Sequence, residues 1–332
     1  MTSREPPCWP IGSYRAPVSI SLAIVIVNWN SGQQLRECLA SVPLAAMALP
    51  VGHRIEKLVI VDNQSTDGSD VGLDAGGLPL QLIRNASNRG FAAACNQGAA
   101  AAPSADLLLF LNPDTRLFAD SLRIPLAAMD EQDNRKVGIA GIQLVDDSGR
   151  VSRSCSRFPA PHQVVAQAFG LDRLIPSVGQ AMRDWAHDSS RQVDQVIGAF
   201  FLVRGALFRQ LGGFDERFFV YFEEVDFAYR ARQLGWTSLY LSTASAYHKG
   251  GGTSEQVRAH RLFYALRSRL QYFNKHGSLM GRALVWMTTI LVEPVARAAQ
   301  LLLRRRASEL ADLVGAYRLL LAWLGSGRRA QS

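Results

Sequence analysis

A chain of 332 residues with 48% hydrophobic content can bury a large core, which excludes disorder for most of its length and predicts one large domain, or one domain with an extension. Cys8, Cys38, Cys95 and Cys155 stand far apart without CxxC spacing, which argues against a zinc site or a disulfide framework and for a reducing compartment. The net charge of +8 is uneven: residues 255–332 hold 13 basic against 4 acidic side chains, +9, so the first 254 residues come to −1 and the basicity belongs to the C-terminal end.

Residues 1–18 contain Arg4, Glu5 and four prolines with no apolar core of signal-peptide length, and read as a flexible arm. Ser21–Val27 is a continuous apolar, largely β-branched run, the pattern of a strand buried on both faces of a parallel sheet; Asn28, Trp29 and Asn30 follow at its carboxyl end. A helix is expected from about Gln33 to Leu39. Lys57–Val61 is the second strand, closed by a polar turn from Asp62 to Gly68. The alanine-rich Ala92–Ala102 reads as a tightly packed helix, and Leu80–Ile83 and Leu107–Leu111 supply two more strands, the latter ending in Asn112, Pro113 and Asp114. The βαβα order implies an open sheet whose ligands bind at the carboxyl ends of the strands, where Asp62 and Asp114 then face one crevice. A carboxylate at one strand end can accept from the N3–H of uracil or thymine, and one at another can bind a divalent metal bridging two phosphates. Each Asp alone is more simply a turn cap; together they favour a nucleotide site. No GxGxxG or GxxxxGK[ST] follows the first strand, which removes the main support for dinucleotide and P-loop readings.

The most unusual stretch is Gly212–Arg230, GGFDERFFVYFEEVDFAYR. It sets Asp215, Glu216, Glu223, Glu224 and Asp226 among aromatic residues, where a plain core helix would avoid carboxylates. A helix is expected from Glu223 to Leu234, stopped by Gly235, with Glu223 and Glu224 in its first turn where backbone N–H groups favour negative charge. Such a turn places a base on a rigid element. Downstream, His248 follows the strand-like Leu239–Leu241 and opens a glycine run, Gly250–Gly252, in which backbone can approach phosphates and move as a lid.

Taken in order, VIVNWN (Val25–Asn30), VDNQSTDGS (Val61–Ser69), NRGFAAACNQG (Asn88–Gly98), LNPD (Leu111–Asp114), GAFFLVR (Gly198–Arg204), the Gly212–Arg230 segment and YHKGGGTS (Tyr247–Ser254) resemble the ordered motifs of glycosyltransferase family 2, in its bacterial rhamnosyltransferase-like branch. The resemblance covers roughly residues 20–276 and implies an α/β chain of GT-A fold: a Rossmann-like, mostly parallel central sheet flanked by helices. It implies inverting transfer of a sugar, L-rhamnose from dTDP-rhamnose in the first instance, from a nucleotide-diphosphate donor to an acceptor hydroxyl in bacterial polysaccharide or glycolipid assembly. A UDP-sugar-dependent galactofuranosyl or hexosyl transferase is the alternative. By position, Asn28, Asp62, Asn88, Asn96, Asn112 and Gly198 fall to the donor site. Asp114 matches the second acid of the metal-binding DxD; with Asn112 in place of the first, a Mg²⁺ or Mn²⁺ leans on Asp114, His248 and the diphosphate itself. Glu224 inherits the general base, with Glu223 as alternate, while Asp226, with Arg230 at i+4, and Arg157 of the RSCSRFP motif fall to acceptor binding or orientation.

Thr253 and Gln256 read as a capping box for a helix running to about Lys275 and stopped by Gly277, which closes a catalytic domain over 19–277. Residues 278–332 form a basic amphipathic extension. Its longest charge-free apolar run, Ala283–Val292, is half of the roughly 20 residues a span needs, so a helix pair broken at Pro294 and lying on a membrane surface is expected. This places the enzyme in the cytoplasm, peripheral on the inner membrane beside a lipid-linked saccharide acceptor. A homodimer through the same helices is the other use of those stretches. Outside enzymes, a basic tail can bind nucleic acid, but here the charge interleaves with leucines and not with stacking aromatics, so no nucleic-acid partner is expected.

Overall fold

The computed structural model describes residues 19–250 and 257–326; the expected N-terminal arm and the Thr253–Gln256 capping box lie outside the described residues. Strand β1 (Ser21–Asn28) is buried along its whole length. Its alternate side chains serve two cores, Leu22, Ile24 and Ile26 on one face and Ala23, Val25 and Val27 on the other, which is why the run shows no polar alternation. Helix α1 (Gly32–Ala46) covers the first face through Leu35, Leu39 and Val42 and runs past the expected Leu39, because its apolar spacing continues beyond that residue. Strands β2 (Arg54–Asp62) and β3 (Leu80–Arg84) extend the sheet in parallel. On the second face, α2 (Phe91–Ala100) lies so close to β1 that a Cβ on Gly98 would sit 2.3 Å from Val25 Cγ1, which accounts for its small residues.

Strand β4 (Leu107–Leu111) pairs parallel with β1, and β5 (Thr115–Leu117) and α3 (Asp120–Asp130) follow. Next come β6 (Val137–Val145), the short β7 (Val151–Ser152) and β8 (Cys155–Ser156), helices α4 (Pro161–Ala168) and α5 (Leu171–Leu174), and β9 (Arg191–Val193) and β10 (Gln195–Val196). The order then is β11 (Phe200–Arg204), α6 (Gly205–Gln210), α7 (Glu223–Gln233) and β12 (Thr237–His248). The main sheet runs β3-β2-β1-β4-β11-β6-β12-β5. Its first four strands are parallel, as βαβ connections require, whereas β11 enters antiparallel to both β4 and β6. Phe110, Phe201, Phe208, Phe214 and Phe227 interlock beneath this half, with ring centroids 4.9–6.5 Å apart.

Helix α8 (Arg258–His276) is followed by α9 (Leu279–Met287), α10 (Glu293–Leu303) and α11 (Leu310–Gly325). A π-helical turn at Thr288–Val292 joins α9 to α10, so Leu279–Leu303 is one helix of 25 residues, long and apolar enough to cross a membrane. The expected break at Pro294 is absent. Pro294 lies in the first turn of α10, where the wide turn before it has already shifted the hydrogen-bond ladder and the missing N–H costs little. These helices share a core with the rest of the molecule: Val285, Ala316, Leu320 and Trp323 pack with Leu266 and Leu270 of α8 and with Phe218 and Val225 beside the carboxylate-rich turn.

Candidate active site

The parallel register of β1 and β2 sets Asn28 opposite Asp62 at the carboxyl edge of the sheet. Asn28 Nδ2 donates to Asp62 Oδ1 at 2.7 Å and to Ser69 Oγ at 2.9 Å, and the Ser65 N–H donates to Asp62 Oδ2 at 3.0 Å. Asp62 is buried and caps its own turn, so the two residues form one rigid polar floor. Asp67 ties this turn to the neighbouring one by accepting from the N–H groups of Gly32 and Ser69 and from the Ser69 hydroxyl. Burial opposes its charge, but these bonds together hold its carboxyl below the usual range.

At the other end of the crevice, antiparallel pairing of β5 with β12 sets His248 opposite Thr115 and brings His248 Nε2 to 3.3 Å from Asp114 Oδ1. The Lys249 N–H donates to the Asp114 backbone carbonyl, also at 3.3 Å. A cavity of about 230 Å³ adjoins them, lined by Gln34, Glu37, Asp114, Arg116, Asp147, Tyr247 and Lys249. Hard oxygen and imidazole donors suit Mg²⁺ or Mn²⁺. Among the described residues no group of three or more His, Cys, Asp and Glu side chains gathers round one point, and the pair here is Asp114 and His248.

Glu223 and Glu224 open α7 after Tyr221 and Phe222, which take φ of 67° and 72°, a left-handed conformation costly for aromatic residues and typical of functional turns. The backbone N–H groups of Gly198, Phe222, Glu224 and Val225 face the Glu224 carboxylate, yet burial pushes its carboxyl upward. Burial and then the Glu224 charge push Glu223 well above its ordinary value. Oε2 of each is screened from solvent and meets no hydrogen-bond partner among the described residues. Ala199 beside Gly198 accepts the Asn112 N–H at 3.0 Å, so the Asn112–Asp114 turn and Glu224 are held by two adjacent residues of one strand entrance. A Cβ on Gly198 would meet nothing within 4 Å, leaving open space over this junction.

The remaining expected residues divide. Asn88 Oδ1 accepts the Gly90 N–H at 2.9 Å and shapes the entry to α2. Asn96 Nδ2 donates to Phe214 O and Glu216 Oε1, and Oδ1 accepts the Phe214 N–H, so it locks the loop leading to α7. That loop passes so close that a Cβ on Gly213, at φ 78°, would sit 2.5 Å from Asn96 Oδ1. Asp226 is fully buried in a cationic cluster, with Arg230 Nε at 2.7 Å, Lys275 Nζ at 2.6 Å and His276 Nε2 at 2.7 Å, so it clamps α7 to α8 and is closed to an acceptor. Burial opposes its charge, but His276, Lys275 and Arg230 hold its carboxyl below the usual range. Arg157 pairs with Asp184 at 2.6 Å and donates to the Gly179 carbonyl. Lys275 and His276 escaped sequence reasoning because they lie some 50 residues from Asp226 and carry no motif. Cys95 of α2 is close enough to both Glu223 and Glu224 that their charges add to burial in raising its thiol.

A mixed α/β sheet flanked by helices, with carboxylates and an acid–imidazole pair at its carboxyl edge, is of GT-A fold. Residues 23–177 match the model for glycosyl transferase family 2. It is 27% identical over 290 residues to an N-acetylglucosaminyl-diphospho-decaprenol L-rhamnosyltransferase of Mycobacterium tuberculosis, covering 80% of this chain and 88% of the relative. Rhamnosyltransferase WbbL of Escherichia coli is 25% identical over 181 residues, covering 53% of this chain and 65% of the relative. The fold is shared with the mannosyltransferase PcManGT of Pyrobaculum calidifontis in complex with GDP-Man and Mn²⁺, at a TM-score of 0.51 and 15% identity over 90% of this chain and 86% of that one. It is shared also with GalNAc-T7 bound to UDP, GalNAc and Mn²⁺, at a TM-score of 0.53 and 17% identity over 78% of this chain and 48% of that one.

Proposed function

We propose that the protein transfers L-rhamnose from dTDP-rhamnose, with inversion, to a hydroxyl of a lipid-linked saccharide, working in the cytoplasm against the inner membrane. The observation that carries this reading is the unpartnered Glu224 Oε2 at the head of α7, joined through Gly198 and Ala199 to the turn that bears Asp114. A carboxylate whose second oxygen meets no donor among the described residues is suited to accept a proton from an acceptor hydroxyl that reaches it, as the hydroxyl oxygen attacks the anomeric carbon, and its raised basicity helps the transfer. Attack from the face opposite the diphosphate needs no covalent intermediate, so one carboxylate suffices. Asp62 and Asn28 are assigned to the base, Asn88, Asn112 and Gly198 to the donor, and Asp114 with His248 to a Mg²⁺ or Mn²⁺, which when bound neutralises charge on the departing diphosphate. Asn96, Asp226 and Arg157 are assigned to positioning. The rhamnosyl specificity is supported by the mycobacterial and enterobacterial relatives, both rhamnosyltransferases, and the lipid-linked acceptor by the mycobacterial one, which acts on a decaprenol-linked sugar. Residues 19–277 are taken as the catalytic unit and 278–332 as the part that meets the membrane.

Calorimetry with dTDP-rhamnose, UDP-galactofuranose and UDP-hexoses, each with and without Mn²⁺, tests the reading. Tight binding of dTDP-rhamnose that Asp114→Asn and His248→Ala each weaken in the presence of Mn²⁺ supports it. Preference for a UDP-sugar moves the protein to hexosyl or galactofuranosyl transfer, and unchanged Mn²⁺-dependent affinity in both variants removes the metal assignment.

A further inference from the structure

The helix Leu279–Leu303 is amphipathic in the wrong sense for a protein surface. Met280, Leu284, Met287, Leu291, Val295 and Leu302, spaced three, four or seven residues apart, fall on one side and are all exposed, Met280 at 84%, Leu291 at 65% and Val295 at 68%. The opposite side, turned toward α8 and α11, buries Thr288, Thr289 and Glu293. There Arg269 Nη2 pairs with Glu293 Oε2 and donates to Thr289 Oγ1 at 2.9 Å, Arg297 Nε donates to Glu293 Oε1 at 2.8 Å, and Tyr317 Oη donates to the Thr289 carbonyl at 3.1 Å. Burial alone would raise the Glu293 carboxyl, but the two guanidiniums hold it below the usual range. A helix on a water-facing surface places its polar side outward. This one places charge inward and an apolar stripe outward, a contiguous surface of the kind that marks an interaction site.

Two features say what meets the stripe. The helix ends in Arg304, Arg305 and Arg306, all exposed, and its one acidic residue, Glu293, faces inward, so the outward side offers no counter-charge to a symmetric second copy, whereas anionic headgroups offer one throughout. The apolar surface also continues sideways: a Cβ on Gly170 would lie 3.9 Å from Gln300 Nε2, which sets the exposed Phe169 and Leu174 beside the C-terminal half of the helix. Length alone would allow the helix to span a bilayer. Spanning, however, would draw Glu293 and Arg297 into hydrocarbon and strip Arg269 of its partner, whereas lying flat keeps the inner side intact.

Extending the reading of a membrane-borne acceptor, we propose that the outward side of Leu279–Leu303 is a docking face for an anionic bilayer, with the helix lying in the plane of the interface, its apolar stripe sunk to the acyl boundary and Arg304–Arg306 on lipid phosphates. Flotation of the full chain with phosphatidylcholine vesicles, with and without phosphatidylglycerol, tests it. The expected result is co-flotation with the anionic vesicles at low salt, weakened in 1 M NaCl where the Debye length is about 3 Å. Leu291→Glu should reduce partitioning tenfold or more, and the Arg304→Glu, Arg305→Glu double variant should abolish the preference for anionic lipid, both with an unchanged Tm. Should Leu291→Glu lower Tm, the double variant carries the decision, because those side chains lie wholly on the surface. A full chain that ignores anionic vesicles, variants that float as well as the parent, or a dimer that Leu291→Glu converts to monomer without vesicle binding each overturns the proposal. Calorimetry with dTDP-rhamnose and Mn²⁺ on the same proteins separates the two readings: donor binding can fail while flotation holds, which would sink the sugar assignment and leave the docking face standing.

Discussion

Glu223→Gln is expected to stabilise the protein, although it alters a residue at the centre of the candidate site. Glu223 is 4% exposed, its Oε2 meets no donor, and Glu224 stands next to it, so an ionised Glu223 is both desolvated and opposed by a like charge. The folded-state carboxyl therefore titrates well above the unfolded value of about 4.3. Its contribution to stability is complete below that unfolded value and is lost as pH rises toward and through the folded one. An isosteric amide has no charge to lose. Holding the raised carboxyl against its ionisation at neutral pH costs about 1.4 kcal/mol for each pH unit by which it is raised, a cost the amide does not carry, and each kcal/mol recovered corresponds to a Tm rise of roughly 1–2 °C for a chain of this size. Differential scanning calorimetry at pH 5, 6.5 and 8 measures it, and the gain over the parent should grow across the series. A gain that is flat with pH, or a lower Tm at pH 8, would mean that Glu223 is satisfied in solution and that the pair shares no burial strain.

Glu224→Gln should keep Mn²⁺-dependent donor binding and lower kcat by about two to four orders of magnitude, the range for loss of a general base; if Glu223→Gln is the inactive variant instead, the proton acceptor is its neighbour. Asp226→Asn leaves Arg230, Lys275 and His276 without their anion, and because the two longer cations keep some solvent the expected loss is about 2–4 kcal/mol at pH 7, read by urea unfolding. The folded Asp226 carboxyl is depressed, so its contribution exists above the unfolded value of about 3.9 and is lost as pH falls through the folded one; parent and variant should converge in acid, and an equal gap at pH 3 and pH 7 would refute the ionic origin.

The sequence alone determined the parallel half of the sheet. Ser21–Val27, Lys57–Val61 and Leu107–Leu111 are apolar on both faces, a pattern that only a strand covered on two sides tolerates, and the polar residues at their ends had to collect on one edge. It also set α7 at Glu223, because a Gly-Gly turn, an acidic first turn and a closing Gly235 are local signals. Pairing across the sheet was beyond it: nothing near Asp114 announces that β12 will return antiparallel to β5 and set His248 3.3 Å away, although motif order suggested the partnership. The hydrogen bonds of Asn96 to Phe214 and Glu216 were not legible, because those partners are more than a hundred residues distant and meet it only through tertiary packing. The C-terminal helix shows the limit from the other side. Its composition announced an amphipathic segment and its Pro294 a break, but a π-helical turn absorbed the proline, and the identity of the buried side was decided by Arg269 reaching across from α8 to Glu293. Periodicity specifies that a helix has two sides; which of them faces inward depends on the partners that folding brings alongside.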